Sequence, residues 1–193
     1  MMDDPIDQFE RWWREARTDS PLRQKNAICL STLDERGFPG GRFVDLKAVD
    51  REGFVFCTRL DSAKGQHLQY NNKASITVWW DHLGYQVRVL GHAEQLRNAE
   101  ADQFWEHRDR CARLTTVAFA QSEALADEAE LIDRLQQCDT QWAGRRIPRP
   151  EYWSGYRVKP ISVEFLTFRE SRLHLRERYE IQDDAWRKIL LQP

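Results

Sequence analysis

Apolar residues recur at every second position along much of this chain, and this alternation predicts β-strands. The run Ala27–Leu33, for example, alternates and is followed by Asp34-Glu35-Arg36-Gly37, a typical turn sequence. Short runs of this kind, separated by turns, predict strands at Ala27–Leu33, Gly41–Val49, Phe54–Thr58, Ser75–Asp81, Tyr85–Glu94, Tyr152–Val158, Ile161–Phe168, Arg172–Ile181 and Trp186–Leu191.

Two regions have helical spacing instead. Asp4 and Pro5 form a helix start, and Ile6, Phe9 and Trp13 continue it, which predicts an N-terminal helix over about residues 4–17. An insertion over about residues 98–142 has the same periodicity. Short strands that follow one another closely are typical of an antiparallel barrel or sandwich. We therefore interpret residues 1–193 as one β-barrel domain with a helical insertion. The fold class is mainly β with this insertion (α+β). The other predicted helices are Ser62–Tyr70, Asn98–His107, Leu114–Ala120 and Ala124–Trp142.

Composition narrows the class of protein. The 193 residues carry a formal net charge of -2, with 31% charged and 41% hydrophobic residues, which is typical of a globular chain and unlike a basic nucleic-acid binder. No apolar run approaches the ~18–20 residues that span a bilayer, and the N-terminus lacks the features of a signal peptide. Cys29, Cys57, Cys111 and Cys138 have no zinc-ligand spacing, so we expect four buried, reduced thiols. The sequence thus predicts a cytoplasmic protein with no metal, nucleic acid or membrane partner.

Ser62 and Lys64 suggest an anion site. A Ser that begins a helix, followed by a Lys in the first turn, can hold a phosphate between backbone N–H groups and an ammonium. The alternative is an ordinary helix cap with an exposed lysine. In the fifth strand, Gln86 and Arg88 point the same way, and Gln86 either faces solvent or holds the edge of a heterocycle.

The segment Arg172-Leu173-His174-Leu175-Arg176 alternates strictly. As a strand it would place Arg172, His174 and Arg176 on one face, three hydrogen-bond donors without an acid among them. Such a face is suited to an anion or an electron-rich ring.

These segments, in this order and over nearly the whole chain, resemble the pyridoxine (pyridoxamine) 5′-phosphate oxidases, which are flavoenzymes of the FMN-binding split-barrel fold. Each motif is weak evidence alone, and the resemblance rests on the motifs occurring in the same order and at the same spacing. The motifs are Asp4-Pro5 with its helix, Arg42-x-Val44-x-Leu46-Lys47, Ser62-x-Lys64, Gln86-Val87-x-Val89-x-Gly91, Gln121-Ser122, and Arg172-Leu173-His174 with Arg176.

The resemblance implies an antiparallel, six-stranded split barrel that binds FMN as a homodimer, with the FMN sites at the interface. Substrate oxidation would proceed by hydride transfer to the flavin, with O₂ as acceptor. Lys47 and Arg108 would bind the phosphate of a pyridine substrate, and Arg172 and His174 would be catalytic and hold its ring. Gln86 would come from one subunit and Gln121 and Ser122 from the other. The implied FMN contacts are Arg42, Phe43, Val44, Leu46, Lys47, Cys57, Thr58, Lys64, Gln86, Gln121, Ser122 and Arg176.

Several positions depart from the family pattern. Ala63 replaces an Arg that would bind the FMN phosphate, and Phe104 and Ala112 replace a Tyr and a Ser that would bind the substrate phosphate. Leu166 and Leu175 replace a Trp and an Asp, and Asp45 is an acid in a normally apolar stretch. Two alternatives therefore stay open beside a vitamin B6 phosphate oxidase. One is a related flavin oxidase of the phenazine-biosynthesis type, and the other is a non-catalytic binder of FMN or pyridoxal phosphate.

Overall fold

Six antiparallel strands close into a barrel in the computed structural model, which describes residues 4–193. The first three residues, on which the prediction about a signal peptide partly rests, lie outside the described residues. The strands are β1 (Ala27–Leu33), β2 (Pro39–Asp50), β3 (Gly53–Arg59), β4 (Lys73–Trp80), β5 (Tyr85–Gln95), β6 (Trp153–Thr167), β7 (Leu175–Gln182) and β8 (Ala185–Leu191). The helices are α1 (Pro5–Arg17), α2 (Ala63–Tyr70), α3 (Asn98–Glu106), α4 (Arg110–Ala118) and α5 (Ala129–Gln141).

The barrel is closed by its longest strand. The sheet runs in the order β3-β2-β1-β4-β5-β6, and β6 pairs back onto β3. The first half of β6 pairs with β3 through Trp153–Val158, while its second half pairs with β7 through Ser162–Thr167. The hairpin of β7 and β8 therefore extends the sheet beyond the barrel. This architecture confirms the predicted six-stranded split barrel.

Apolar residues from the inner faces of the strands form the main core, and α1 covers one end of it. Phe9 is fully buried and meets Phe54 edge to face, with ring centroids 4.8 Å apart. The helix begins as predicted, because Asp4 accepts a hydrogen bond from the Ile6 N–H at 2.8 Å and Pro5 occupies the first turn.

The helical insertion has a smaller core of its own. Trp105 and Trp153 pack edge to face with centroids 4.9 Å apart, and the Trp105 Nε1–H donates to the Ile147 carbonyl at 2.9 Å. Leu114 and Cys138 complete this cluster. Since Trp153 begins β6, the cluster fixes α3–α5 against the open end of the barrel. No helix within residues 4–193 is both long and apolar enough to cross a membrane.

Four predicted boundaries are wrong by several residues. The helix predicted at Leu114–Ala120 is α4, which begins at Arg110, after the Asp109 cap accepts from the Ala112 N–H. Residues 152–158 and 161–168 form one strand, because Pro160, which lacks an N–H, lies at an irregularity in the β5–β6 pairing that leaves the strand continuous. The helix α5 begins near Ala129, after Asp127 accepts a hydrogen bond from the Ala129 N–H. The strand β7 begins at Leu175, since Arg172 has a left-handed φ of 63° that a strand does not allow.

A further correction concerns the thiols. Cys138 is buried, whereas Cys29 and Cys57 are half-buried and Cys111 is exposed on α4. The expectation of four buried cysteines is therefore wrong for Cys111. None of these four thiols forms a disulfide.

Candidate functional site

A cavity of about 480 Å³ lies where β2, β3 and the helical insertion meet. Its walls mix three cationic side chains with aromatic and aliphatic groups. The lining residues are Phe43, Val44, Asp45, Cys57, Thr58, Arg59, Lys64, Arg108, Thr115, Thr116, Phe119, Gln121, Leu131 and Trp153. The residues that line the cavity come from distant parts of the sequence. The cavity volume is suited to a small aromatic molecule or to part of a larger one.

Lys64 is the most unusual of these groups. Its side chain is buried, with 7% of the residue exposed, and its Nζ donates to Thr58 Oγ1 at 3.1 Å, Ser62 Oγ at 3.2 Å and Gln121 Oε1 at 3.0 Å. All three partners are neutral, and no carboxylate within residues 4–193 forms an ion pair with this ammonium. Burial and, to a smaller extent, the charge of Arg42 lower the pKa of Lys64 to about 8. A buried cation with only neutral partners is suited to an anionic ligand.

The local backbone explains how Lys64 comes to be buried. Ser62 precedes α2, and the first turn of this helix packs so tightly on the end of β3 that a Cβ on Gly65 would meet the Leu60 carbonyl oxygen at 2.2 Å. Glycine avoids this clash, and the close approach brings the start of α2 onto the end of β3. The Ala63 N–H donates to Ser122 Oγ at 3.3 Å, so the segment after α4 closes over the start of the helix.

Arg42 lies behind this cluster on the inner side of β2. Its Nη1 donates to the Leu30 carbonyl at 3.2 Å and to Thr32 Oγ1 at 2.6 Å. The Thr32 hydroxyl in turn lies 3.0 Å from His67 Nδ1. Burial lowers the pKa of Arg42, and a neutral threonine and a carbonyl are its only hydrogen-bond partners in the described chain. Arg42 therefore adds a second cation near Lys64 without an acid to neutralise it.

Arg108 lies between α3 and α4 and enters the cavity from the opposite side. Its Nη2 donates to the Ala112 carbonyl at 3.1 Å and Thr116 Oγ1 at 3.2 Å, and its guanidinium lies 5.2 Å from the Trp153 ring centre. Its Nε is buried and has no hydrogen-bond partner in the part of the chain that the structure describes. Burial lowers the pKa of Arg108. An unpaired buried N–H of this kind costs free energy unless a ligand accepts from it.

Lys47 is differently placed. Its Nζ lies 2.5 Å from Asp45 Oδ2, so the predicted phosphate-binding lysine already has an acidic partner. Both side chains lie near Cys57. Burial raises the pKa of the Cys57 thiol to about 12, and the charges of Lys47 and Arg108 act against this rise. Cys57 is therefore a neutral thiol at physiological pH.

The segment 172–176 does not form the predicted donor face. Arg172 is exposed in a left-handed turn, and its N–H donates to the Arg169 carbonyl. His174 Nδ1 accepts from the Arg169 N–H at 3.1 Å, and its ring lies 4.3 Å from that of Phe168. Arg176 is on β7, where it donates to Glu164 Oε1 at 2.8 and 3.1 Å. Because the strand begins only at Leu175, Arg172 and His174 belong to a hairpin loop, and the predicted strand face is wrong for them.

The structure brings together about half of the predicted site residues. Phe43, Val44, Cys57, Thr58, Lys64, Arg108 and Gln121 line the cavity. Ser122, Arg42 and Lys47 adjoin it through the contacts above. The Leu46 side chain is in the barrel core, 1% exposed, so only its backbone can reach a ligand. Four predicted site residues do not line the cavity. They are Gln86 on β5, Arg172 and His174 in their loop, and Arg176 on β7.

Other lining residues had no clear sequence signal. Arg59 donates to the Thr116 and Phe119 carbonyls at 2.8 and 2.7 Å while forming an ion pair with Asp61, and so it fastens the end of α4 to β3. Phe119 and Leu131 come from the insertion. Their role depends on packing between distant segments, which periodicity does not report.

Within residues 4–193, no group of three or more His, Cys, Asp and Glu side chains is close enough to hold a metal ion. The donors of the cavity are instead nitrogen cations and hydroxyl groups. This donor set fits a phosphate-bearing cofactor such as FMN, because Lys64 and the first turn of α2 supply cationic and N–H contacts and the aromatic walls can accept a flat ring.

Comparison with known proteins gives concordant results. Residues 15–142 match the family model described as pyridoxamine 5′-phosphate oxidase, and residues 153–193 match that of the pyridoxine 5′-phosphate oxidase C-terminal dimerisation region. A pyridoxine/pyridoxamine 5′-phosphate oxidase from Synechocystis sp. is 42% identical over 191 residues, which covers 99% of this chain and 89% of the relative. One from Rubrobacter xylanophilus is 39% identical, covering 98% and 87%.

A solved structure is also similar over nearly the full length. PhzG from Burkholderia lata 383, in complex with tetrahydrophenazine-1-carboxylic acid, superposes with a TM-score of 0.92 at 31% identity, covering 98% of this chain and 93% of that one. A pyridoxamine 5′-phosphate oxidase-related protein from Nostoc punctiforme, with a TM-score of 0.80 at 16% identity, shares the fold. From the barrel, the cationic cavity and these full-length matches together, the chain belongs to the pyridoxamine 5′-phosphate oxidase family.

Proposed function

We propose that this protein is an FMN-dependent oxidase that converts pyridoxine or pyridoxamine 5′-phosphate into pyridoxal 5′-phosphate, with O₂ as acceptor. The observation that carries the proposal is Lys64, a buried ammonium with only neutral partners, in a cavity that also holds the unpaired Nε of Arg108. Two anion-seeking groups in one cavity suit a phosphorylated cofactor and an anionic substrate. The full-length similarity to pyridoxine/pyridoxamine 5′-phosphate oxidases supports the same assignment.

In this proposal the residues around Lys64 hold FMN. Lys64 and Arg42 would bind its phosphate, with the backbone N–H groups at the start of α2 and the hydroxyl of Ser122. Thr58 and Gln121 would orient the ammonium and contact the cofactor. Phe43, Val44 and Cys57 would line its ring, and Leu46 and Lys47 would approach it by the strand backbone. Bound FMN supplies the redox chemistry, as a hydride acceptor that O₂ reoxidises with release of hydrogen peroxide.

Arg108 and Lys47 would bind the anionic group of the substrate, and Arg172 and His174 would hold its ring. A planar guanidinium such as that of Arg172 can stack on an aromatic ring. Since His174 Nδ1 accepts the Arg169 N–H, a neutral His174 carries its proton on Nε2, where it can donate to a substrate oxygen. The protein thereby positions the substrate, which is its main contribution when a cofactor performs the redox step.

We also propose that the site is completed by a homodimer. Three large apolar side chains are exposed on the outer face of the barrel: Phe43 at 75%, Leu90 at 46% and Trp79 at 43%. Large apolar side chains exposed on one sheet are suited to burial at an interface. Gln86 is on the strand of Leu90, whereas Gln121 and Ser122 contact Lys64 and Ala63 of their own chain. Gln86 and Arg176 of one subunit would therefore meet the FMN held by its partner. The free thiols favour a cytoplasmic location.

A related oxidase acting on another aromatic ring is the second candidate. The observation that favours it is the apolar character of the insertion: Phe104 and Ala112 offer no hydroxyl donor, and the tetrahydrophenazine-bound PhzG is similar over the whole fold. A non-catalytic binder of FMN or pyridoxal phosphate is the alternative without chemistry.

An anaerobic half-reaction separates these functions. The protein is loaded with FMN and mixed with pyridoxamine 5′-phosphate, and the flavin absorbance is followed. Loss of the flavin absorbance on the timescale of catalytic turnover supports the proposed oxidase. Bleaching only with reduced tricyclic aromatic substrates would favour the second candidate, and failure of every substrate to bleach bound FMN would favour the binder.

A further inference from the structure

We propose that Asp45 sets the charge preference of the substrate pocket by holding Lys47 in an ion pair. With this acid present, the pocket binds a phosphate dianion less well, relative to a singly charged or neutral aromatic substrate, than it would without the acid. The inference deepens the proposed function and rests on it. It concerns a residue that lines the cavity.

The pair is fixed by strand geometry. Asp45 and Lys47 are two positions apart on β2, on either side of Leu46, whose side chain is buried in the core. The pairing of β2 with β3 is irregular between Leu46 and Ala48, and Lys47 Nζ lies 2.5 Å from Asp45 Oδ2. The Lys47 side chain is 31% exposed and the Asp45 side chain is 49% exposed. Water therefore weakens the attraction between their charges without abolishing it.

The charge of Asp45 also extends across the cavity. It raises the pKa of both Cys57 and Arg108, after the dominant effect of burial, which raises the pKa of Cys57 and lowers that of Arg108. Asp45 thus lies near both cations that the resemblance assigns to a substrate phosphate. With Lys47 held by Asp45, Arg108, which forms no ion pair within residues 4–193, is the cation that an incoming anion meets.

The consequence is a matter of charge balance. Two free cations match a phosphate, which carries about −1.5 to −2 charges at pH 7. One free cation matches a carboxylate or a singly protonated phosphate. To bind a dianion, Lys47 must leave Asp45, or the dianion must approach the carboxylate, and either change weakens binding. The surrounding Phe119, Leu131 and Trp153 supply the apolar contacts that an aromatic ring requires.

The test compares Asp45→Asn with the wild type, both loaded with FMN, on pyridoxamine 5′-phosphate and on pyridoxamine. Asn keeps the shape of the side chain and removes its charge. We expect KM for the phosphorylated substrate to fall about fivefold and KM for pyridoxamine to change by less than about twofold, as removal of a partly exposed charge allows. An Asp45→Ser variant should give the same ratio.

The matched control is Glu94→Gln, which breaks the Lys159–Glu94 ion pair, 2.7 Å long and outside the cavity lining, and changes the net charge equally. It should leave the ratio of the two KM values unchanged. A ratio that is unchanged in Asp45→Asn, or that changes equally in Glu94→Gln, overturns the inference.

A binding measurement separates failure of this inference from failure of the proposed function. Titration of each holoprotein with inorganic phosphate, followed by flavin fluorescence, requires no turnover. Tighter phosphate binding by Asp45→Asn, by about fivefold, supports the inference even if neither substrate is oxidised, in which case the proposed oxidase is wrong. Equal phosphate affinity of wild type and variant overturns it.

Discussion

The cluster around Lys64 and the loop that carries Arg172 differ in how their cations are held. Lys64 is buried and makes three hydrogen bonds with side chains from β3, from the residue before α2 and from the segment after α4. Arg172 is exposed in a hairpin loop, next to Leu173, which is 64% exposed. The hydrogen bonds that hold Lys64 all come from its own chain, whereas the Arg172 side chain has no hydrogen-bond or ion-pair partner within residues 4–193.

The difference indicates a division of labour. A rigid, pre-formed cluster is suited to a cofactor that stays bound, because little conformational entropy remains to be lost on binding. A loop residue on a rigid scaffold is suited to a substrate that enters and leaves. The backbone of the Arg172 loop is nevertheless defined, since the Phe168 N–H donates to the Gly84 carbonyl at 2.8 Å and His174 caps Arg169.

The largest expected effect tests the loop. Arg172→Gly should lower turnover of pyridoxamine 5′-phosphate by about 100-fold, as expected when a substrate-positioning group is lost. The Kd of FMN should change by less than about twofold, since the cofactor cluster does not involve Arg172. Steady-state kinetics and FMN fluorescence quenching measure the two quantities.

Arg172→Ala and Arg169→Ala are the matched variants. Glycine accepts the φ of 63° at this position, whereas alanine is strained there, so equal losses in Gly and Ala variants assign the effect to the guanidinium. Arg169→Ala keeps the backbone N–H that His174 uses and should be close to wild type. Unimpaired turnover of Arg172→Gly would remove Arg172 from the site.

The next effect tests the buried cluster. Lys64→Met keeps the volume of the side chain and removes the charge, so the Kd of FMN should rise about 10- to 100-fold, as for loss of a charged hydrogen bond. Lys25→Met, at an exposed lysine, is the control and should bind FMN as the wild type does. An unchanged Kd in Lys64→Met would show that the anion of the cofactor binds elsewhere.

A smaller effect tests the support of Arg42. Thr32→Val removes the hydroxyl that accepts from Arg42 and lies beside His67, while keeping the shape of a buried residue. We expect the Kd of FMN to rise about fivefold, which corresponds to one net hydrogen bond. Ser31→Ala, at the adjacent position on the outer face of β1, should have no such effect. Equal behaviour of the two variants would exclude Thr32 as a positioning residue.

The last prediction concerns the stability of the apoprotein and its dependence on pH. The pKa of Lys64 is lowered to about 8 in the folded state, against 10.5 in the unfolded chain, so between these values the unfolded state binds the extra proton. The free energy of unfolding should therefore rise as pH increases from 8 to 10.5, by about 1–2 kcal/mol after allowance for partial solvent access. Below pH 8 both states are protonated and the destabilisation from the buried charge is constant.

Urea unfolding of apoprotein measures this rise, and Lys64→Met is its control because it lacks the titrating group. Subtraction of the two pH profiles removes contributions from tyrosines and other lysines. A difference that is flat between pH 8 and 10.5 would contradict the lowered pKa, and with it the contrast between the two regions.

Much of the fold could be predicted from local pattern. The strand Ala27–Leu33 was predicted to the residue, and the helix after Asp4 follows from its cap and proline. Such signals are local, because alternation and capping depend on neighbours within a few residues. The boundary errors arose where tertiary contacts prevailed: Pro160 is accommodated by an irregular pairing, and Arg172 takes a left-handed conformation that its sequence pattern does not indicate.

For the site, the sequence by itself determined which chemical groups are available and, through the order of motifs, which family they resemble. It indicated an anion site at Ser62 and Lys64 but could not decide whether the lysine is exposed. Only the tertiary structure decided that Lys64 is buried among Thr58, Ser62 and Gln121, that Lys47 is held by Asp45, and that Arg108 keeps an unpaired N–H. The physical reason is that burial and ion pairing depend on segments far apart in the chain, such as β3 and the residues after α4, and periodicity does not record which of them meet.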